Sequence, residues 1–150
     1  MKHYLSIVLL AFLALAVPAH ATLDGLLGRL NKQAESDLAG FSARISAQFG
    51  IPEAQVKIVL SAVKKPADAF MVFQVGKMSG QPPERVLDSY QRGHGKGWGA
   101  LAREMGIKPG SPEFHALKRG DFDLAGGPSG NAKGKGKDRD KRKGKKKHDE

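Results

Sequence analysis

Apolar residues recur three and four positions apart along most of this chain, which is the period of helices buried on one side. Leu23, Leu26, Leu27 and Leu30 form one such stripe, and Leu38, Phe41, Ile45 and Phe49 continue the period along a second. That second stripe stops at Gly50, with Ile51 behind it, the pattern of a left-handed C-terminal cap. Pro52 opens a third helix with Val56, Val59, Leu60 and Val63 as its stripe, and Pro66 opens a fourth. Phe70, Met71, Val72, Phe73, Val75 and Met78 surround most of the fourth helix, so it is expected at the buried centre. Gly80-Gln81-Pro82-Pro83 is a turn. Beyond it Val86, Leu87 and Tyr90 mark a fifth helix, with Glu84 and Asp88 on its wet side. No run alternates with period two for long enough to make a strand. The expected fold is all-α, a compact bundle of about six or seven short helices followed by a disordered basic tail.

The pattern breaks at Gly93-His94-Gly95-Lys96-Gly97-Trp98-Gly99. Each glycine costs about 1 kcal/mol against alanine inside a helix, so this stretch predicts a tight, irregular turn. Periodicity resumes from Trp98 through Leu101, Ala102 and Met105, and Gly106-Ile107 repeats the cap chemistry of Gly50-Ile51. Ser111 is then an N-cap, with Pro112 and Glu113 suited to a first helical turn and Phe114 and Leu117 pointing inward.

Two resemblances attach to these residues. Leu101, Ala102, Met105, Gly106 and Ile107 resemble the first helix and turn of a helix-turn-helix. The following Lys108-Pro109-Gly110-Ser111 lengthens the turn, and Glu113 would repel phosphate at the start of a recognition helix. The stretch as a whole resembles a group of exported bacterial proteins with a GKGWGxLAxxxGIKPGSxEFHxLK signature. It is carried by Gly95 to Gly99, Leu101, Ala102, Gly106 to Ser111, Glu113 to His115, Leu117 and Lys118. That resemblance implies a small helical envelope or secreted protein and brings no catalytic residues with it.

Composition changes the picture at both ends. Met1-Lys2-His3 is a short basic start, Leu5 to Val17 is apolar, and Pro18-Ala19-His20-Ala21 ends in Ala-x-Ala. This is the layout of a secretory signal peptide over residues 1–21, cleaved after Ala21. The apolar run is shorter than the roughly 20 residues of a spanning helix, so no stable membrane insertion is expected after cleavage. A periplasmic or secreted location follows. The chain has no cysteine, so apolar packing alone must hold a domain expected over residues 22–120. Residues 121–130 read as a Gly-rich linker. Residues 131–150 carry ten Lys/Arg against four Asp/Glu, whereas residues 22–130 carry a net charge of only +3. With no apolar residue beyond Ala132 the tail cannot offset its ordering entropy, and disorder is expected.

Candidate chemistry is sparse. Ser61-Ala-Val-Lys64 fits S-x-x-K without the companion motifs of penicillin-recognising enzymes. Asp121-Phe-Asp123 begins like a calcium loop but has Ala125 and Ala132 where oxygen ligands belong. Arg119-Gly120-Asp121 spells an integrin-binding tripeptide that any basic, glycine-capped helix end can produce. His94, His115 and His148 lack paired-ligand spacing; of the first two, His94 reads as the more exposed and His115 as the better packed. No cofactor and no metal are expected. Trp98 has two readings: a core anchor beside Tyr90, Leu101 and Phe114, or a partly exposed stacking platform flanked by Lys96 and His94. The tail lysines and arginines (Lys133, Lys135, Lys137, Arg139, Lys141, Arg142, Lys143, Lys145, Lys146 and Lys147) suit capture of a polyanion or an acidic protein.

The leading expectation is therefore a non-enzymatic exported binding protein whose tail and the His94–Lys96–Trp98 region are its contact points. One alternative is a cell-wall glycan enzyme with a site near His94, Trp98 and Glu113. Another is a DNA-binding protein reading through residues 98–118.

Overall fold

A computed structural model describes residues 22–93 and 95–126. Residues 1–21, read as a signal peptide, together with His94 and residues 127–150, lie outside the described residues. Seven helices follow one another: α1 (Leu23–Ser36), α2 (Leu38–Phe49), α3 (Glu53–Ala62), α4 (Pro66–Ser79), α5 (Pro83–Arg92), α6 (Trp98–Glu104) and α7 (Pro112–Arg119). No strand forms among the described residues, so the all-α expectation holds.

Helix α4 is the axis of the bundle. Ala67, Ala69, Phe70, Met71, Val72, Phe73, Val75 and Gly76 are all buried, so nearly its whole circumference is covered. Helices α1, α3, α5 and α6 pack against it; α2 lies across α1 and α3, and α7 bridges α6 and α1. Leu26 and Leu30 from α1, Phe41 and Ile45 from α2, Val56 and Val59 from α3, Val86 from α5 and Leu117 from α7 complete the core. Helix α5 shows the opposite pattern to α4. It buries Val86 and Ser89 and keeps Glu84, Arg85, Asp88 and Arg92 in water.

The ends are set by local chemistry. Thr22 Oγ1, Asp37 Oδ1 and Ser111 Oγ accept hydrogen bonds from the backbone N–H groups of Gly25, Gly40 and Phe114, at 3.2, 2.8 and 3.2 Å. Asp37 both ends α1 and caps α2, so the break between these helices is a single residue. The start of α4 has no side-chain cap of its own. Instead Asn31 of α1 accepts the Ala67 N–H at 2.9 Å, a long-range cap that fixes the angle between the two helices. Gly50 ends α2 in the left-handed conformation, with the Ile51 N–H returning to the Ser46 carbonyl at 3.1 Å.

Gly120 is constrained twice. Its φ is +63°, and a Cβ there would lie 2.7 Å from the Thr22 carbonyl oxygen, because the end of α7 sits on the start of α1. Beyond it the chain stays packed. Leu124 is buried, and the Gln48 side chain donates to the Asp123 carbonyl at 3.1 Å while accepting the Ala125 N–H at 2.8 Å. The first part of the segment read as a linker, Asp121–Gly126, thus belongs to the domain.

Two other readings are corrected. Leu38 is 53% exposed, because it occupies the first turn of α2, where the bundle no longer covers that face. The inward face there is completed by Ser42, which is buried between Phe41 and Ile45. His115 is exposed rather than packed, since it lies about 200° around α7 from the buried Leu117.

Glycine substitutions should therefore have opposite signs at two positions. Gly28 lies mid-helix in α1, exposed, with nothing within 4 Å of a Cβ. Gly28→Ala is expected to stabilise by roughly 0.5–1 kcal/mol. Gly120→Ala is expected to destabilise by more than about 1 kcal/mol, since both φ and the Thr22 contact oppose a side chain. Urea denaturation midpoints of the two variants, at unchanged slope, measure this.

Candidate functional site

The glycine-rich stretch joins α5 to α6. The Gly93 N–H returns to the Ser89 carbonyl at 2.9 Å, and the Lys96 N–H turns back to the Gly93 carbonyl at 2.7 Å. Gly95 has a φ of +84°, which a residue with a side chain rarely adopts. This turn delivers Trp98 as the first residue of α6.

There the indole is built into the domain. Trp98 is 8% exposed, and its ring stacks on Tyr90 with centroids 5.4 Å apart and planes inclined by 20°. Its Nε1–H donates to Asp68 Oδ1 at 3.1 Å, while the Tyr90 hydroxyl donates to Asp68 Oδ2 at 2.8 Å. The Lys64 N–H then donates to the Tyr90 hydroxyl at 3.3 Å. One carboxylate therefore ties α4 to α5 and α6, and through Tyr90 to the α3–α4 junction. The core-anchor reading of Trp98 is right, and the exposed-platform reading is overturned. An indole covered by tyrosine and bonded through its nitrogen offers little face to a ligand. Burial, followed by donation to Asp68, raises the Tyr90 hydroxyl above its ordinary pKa of 10.0, against the opposing pull of the Lys64 N–H.

What remains accessible is beside Trp98. Ala62, Lys64, Tyr90, Gln91 and Gly95 line a surface depression of about 220 Å³. Lys64, Lys65 and Lys96 are exposed, and none takes part in the ion pairs formed among the described residues. Those pairs are Lys57–Glu53, Arg92–Asp88 and Arg119–Asp121. A wider open groove of about 660 Å³ runs on another face past Phe49, Ile51, Phe73, Lys77 and Pro82.

The other sequence-predicted residues are not assembled into a site. Ser61 is exposed and its hydroxyl donates to the Ile58 carbonyl at 2.7 Å, an ordinary helical back-bond. Arg119 donates to Asp121 at 2.6 Å, closing the Arg-Gly-Asp tripeptide on itself. Glu113 is exposed in the first turn of α7. Among the described residues no group of three or more His, Cys, Asp or Glu could hold a metal ion. Helices α6 and α7 are separated by Met105–Ser111, longer than the three or four residues of a helix-turn-helix. His94 and the tail cations Lys133 to Lys147 lie outside the described residues.

Sequence reasoning missed Asp68, Asn31 and Gln48. Asp68 alone carried a signal, a carboxylate early in a helix otherwise apolar on almost every side.

The raised Tyr90 hydroxyl gives stability a pH dependence. The unfolded chain loses this proton first, so the contribution is complete below about pH 10 and declines as pH climbs through the folded value. Tyr90→Phe should cost about 1–2 kcal/mol at neutral pH by leaving Asp68 half-paired. The gap between parent and variant should shrink above pH 10, because ionisation common to both cancels in the difference. Denaturation at pH 7, 9, 10 and 11 checks this, and a constant gap would contradict it.

Compared with known protein families, curated proteins and solved structures, the chain matches none.

Proposed function

We propose that this is an exported, non-enzymatic binding protein of the bacterial envelope, in which a helical domain carries a basic arm that captures polyanions. Lipopolysaccharide phosphates, extracellular nucleic acid and acidic proteins are the ligand classes that suit such an arm. The observation that carries this reading is the partition of charge. Ten Lys/Arg against four Asp/Glu are concentrated in residues 131–150, while the preceding 109 residues hold a net charge of only +3. Lysines separated by glycine act as flexible point charges that follow phosphates or sulfates without a fixed register.

The anchoring of residues 123–125 by Gln48 supports the same reading. It ties down the chain as far as Gly126, beside the aliphatic stem of Arg44, ahead of the basic residues 131–150. The signal-like pattern of residues 1–21 supports a setting outside the cytoplasm for the relevant anions. A small helical envelope or secreted protein is also what the Gly95–Lys118 signature implies.

The test compares the chain from Thr22 to Glu150 with one ending at Gly130. Both are titrated with lipopolysaccharide, DNA and a sulfated glycan in 50 mM and 200 mM salt. Only the longer chain is expected to bind, with affinity falling about 10³–10⁵-fold between the two salts if six to ten cations engage. Equal binding by both chains would remove the arm from the function. Sequence-dependent DNA binding that survives truncation would favour residues 98–118 instead.

A further inference from the structure

We infer that the depression bounded by Lys64, Tyr90, Gln91 and Gly95 binds one anionic sugar ring, a phosphorylated or carboxylated hexose within an acidic glycan. This rests on the polyanion reading and gives it a second contact, on the folded domain rather than on the arm.

Size sets the first limit. At about 220 Å³ the depression falls below the roughly 300–1,000 Å³ of pockets for drug-sized ligands, and suits a single ring. Its walls are of two kinds, as a sugar requires. Tyr90 and Ala62 supply apolar surface for the C–H face of a pyranose. Gln91 supplies an amide and Lys64 an ammonium for hydroxyls and a charged substituent. The Gln91 amide reaches the Ala62 carbonyl only at 3.5 Å, so little is lost when it turns to a ligand. At Gly95, which also lines the depression, nothing other than its chain neighbours lies within 4 Å of where a Cβ would be.

Preorganisation is the second argument. The Tyr90 ring is held by Trp98 stacking, by donation to Asp68 and by the Lys64 N–H. The wall against which a sugar would lie is therefore ordered before any ligand arrives, which removes part of the entropic cost of binding.

Charge selects the class. Asp68 hydrogen-bonds Tyr90 and Trp98, which orient its carboxylate without cancelling its single charge, so three nearby lysines stand against one acid. Lys64 faces the depression, Lys65 follows it in the chain, and Lys96 follows Gly95 with its stem against Gly93. The resulting local field is cationic, so a neutral hexose lacks the group that Lys64 would bind.

Trp98 is the chain's single tryptophan and stacks on the wall itself, so its fluorescence reports occupancy. The full chain is titrated with glucose 6-phosphate, glucuronate, glucose and inorganic phosphate. The same titrations are run on Lys64→Ala, on Gln91→Ala, and on a full chain whose ten tail Lys/Arg are changed to Gln. Both altered side chains are exposed, so neither substitution removes core packing.

One or both anionic sugars should give a saturable change, with glucose and phosphate at least tenfold weaker. Whichever binds identifies the charged substituent. Lys64→Ala should weaken binding on the order of tenfold, the worth of one charge-assisted hydrogen bond, and Gln91→Ala by less. The tail-neutralised chain should bind these small ligands unchanged even where it no longer binds lipopolysaccharide or DNA. That pattern separates the two readings. Loss of sugar binding on tail neutralisation, an unaltered Lys64→Ala, or phosphate binding as tightly as glucose 6-phosphate would each overturn the site.

Discussion

The Asp68 carboxylate is the constraint on which the second half of the domain depends. Asp68 is half-buried in the first turn of a helix that is otherwise covered nearly all round, so its oxygens are the polar acceptors that neighbouring helices can reach there. They find one donor each, from Tyr90 and from Trp98. These two donors lie on different helices, separated by the glycine turn. Satisfying Asp68 therefore requires α5 and α6 to approach α4 at fixed distances, and the Tyr90–Trp98 stack follows from that geometry. Without a disulfide, this shared acceptor does what an apolar contact cannot, which is to favour one docking angle over its neighbours.

The same logic explains the glycines around Trp98. An indole that must reach Asp68 from the first turn of α6 needs a connection that reverses sharply after Arg92. Gly93 and Gly95 permit that reversal; a Cβ at Gly93 would lie 2.9 Å from the Ser89 carbonyl oxygen. The run of glycines is thus a consequence of packing. Its by-product is a glycine, Gly95, on the rim of the depression beside Tyr90.

How far the fold was legible follows from the range of each interaction. Stripes such as Leu23–Leu30 and caps such as Gly50-Ile51 or Ser111-Pro112 act within a turn or two, and the sequence displays them directly. The seven helices were readable for that reason. Asn31 capping α4 and Gln48 holding residues 123–125 act over 36 and 77 positions, and their partners are backbone groups with no sequence identity. No pattern marks them. Leu38 and His115 were misread for a related reason: periodicity gives the direction of a side chain but not whether another helix lies there. At the site, Trp98 was identifiable as an anchor. Its partner Asp68 resembled an ordinary helix N-terminal acid.

The separation of charge from structure has a consequence for recognition. The folded domain contains close to balanced charge and engages several of its acids in structure, with Asp68 on two rings, Asp88 on Arg92 and Asp121 on Arg119. Lys64 is then left exposed at the depression beside Tyr90, while most of the positive charge lies in residues 131–150. Long-range attraction and close fit make opposing demands, since the first needs many cations in water and the second needs few, well placed and ordered. On the proposed reading, a chain that divides these tasks between an arm and a wall would draw in a polyanion without crowding like charges around the ordered Tyr90 surface. On the same reading, salt would govern encounter with the arm, and the shape and substituent of a single ring would govern the fit against Tyr90.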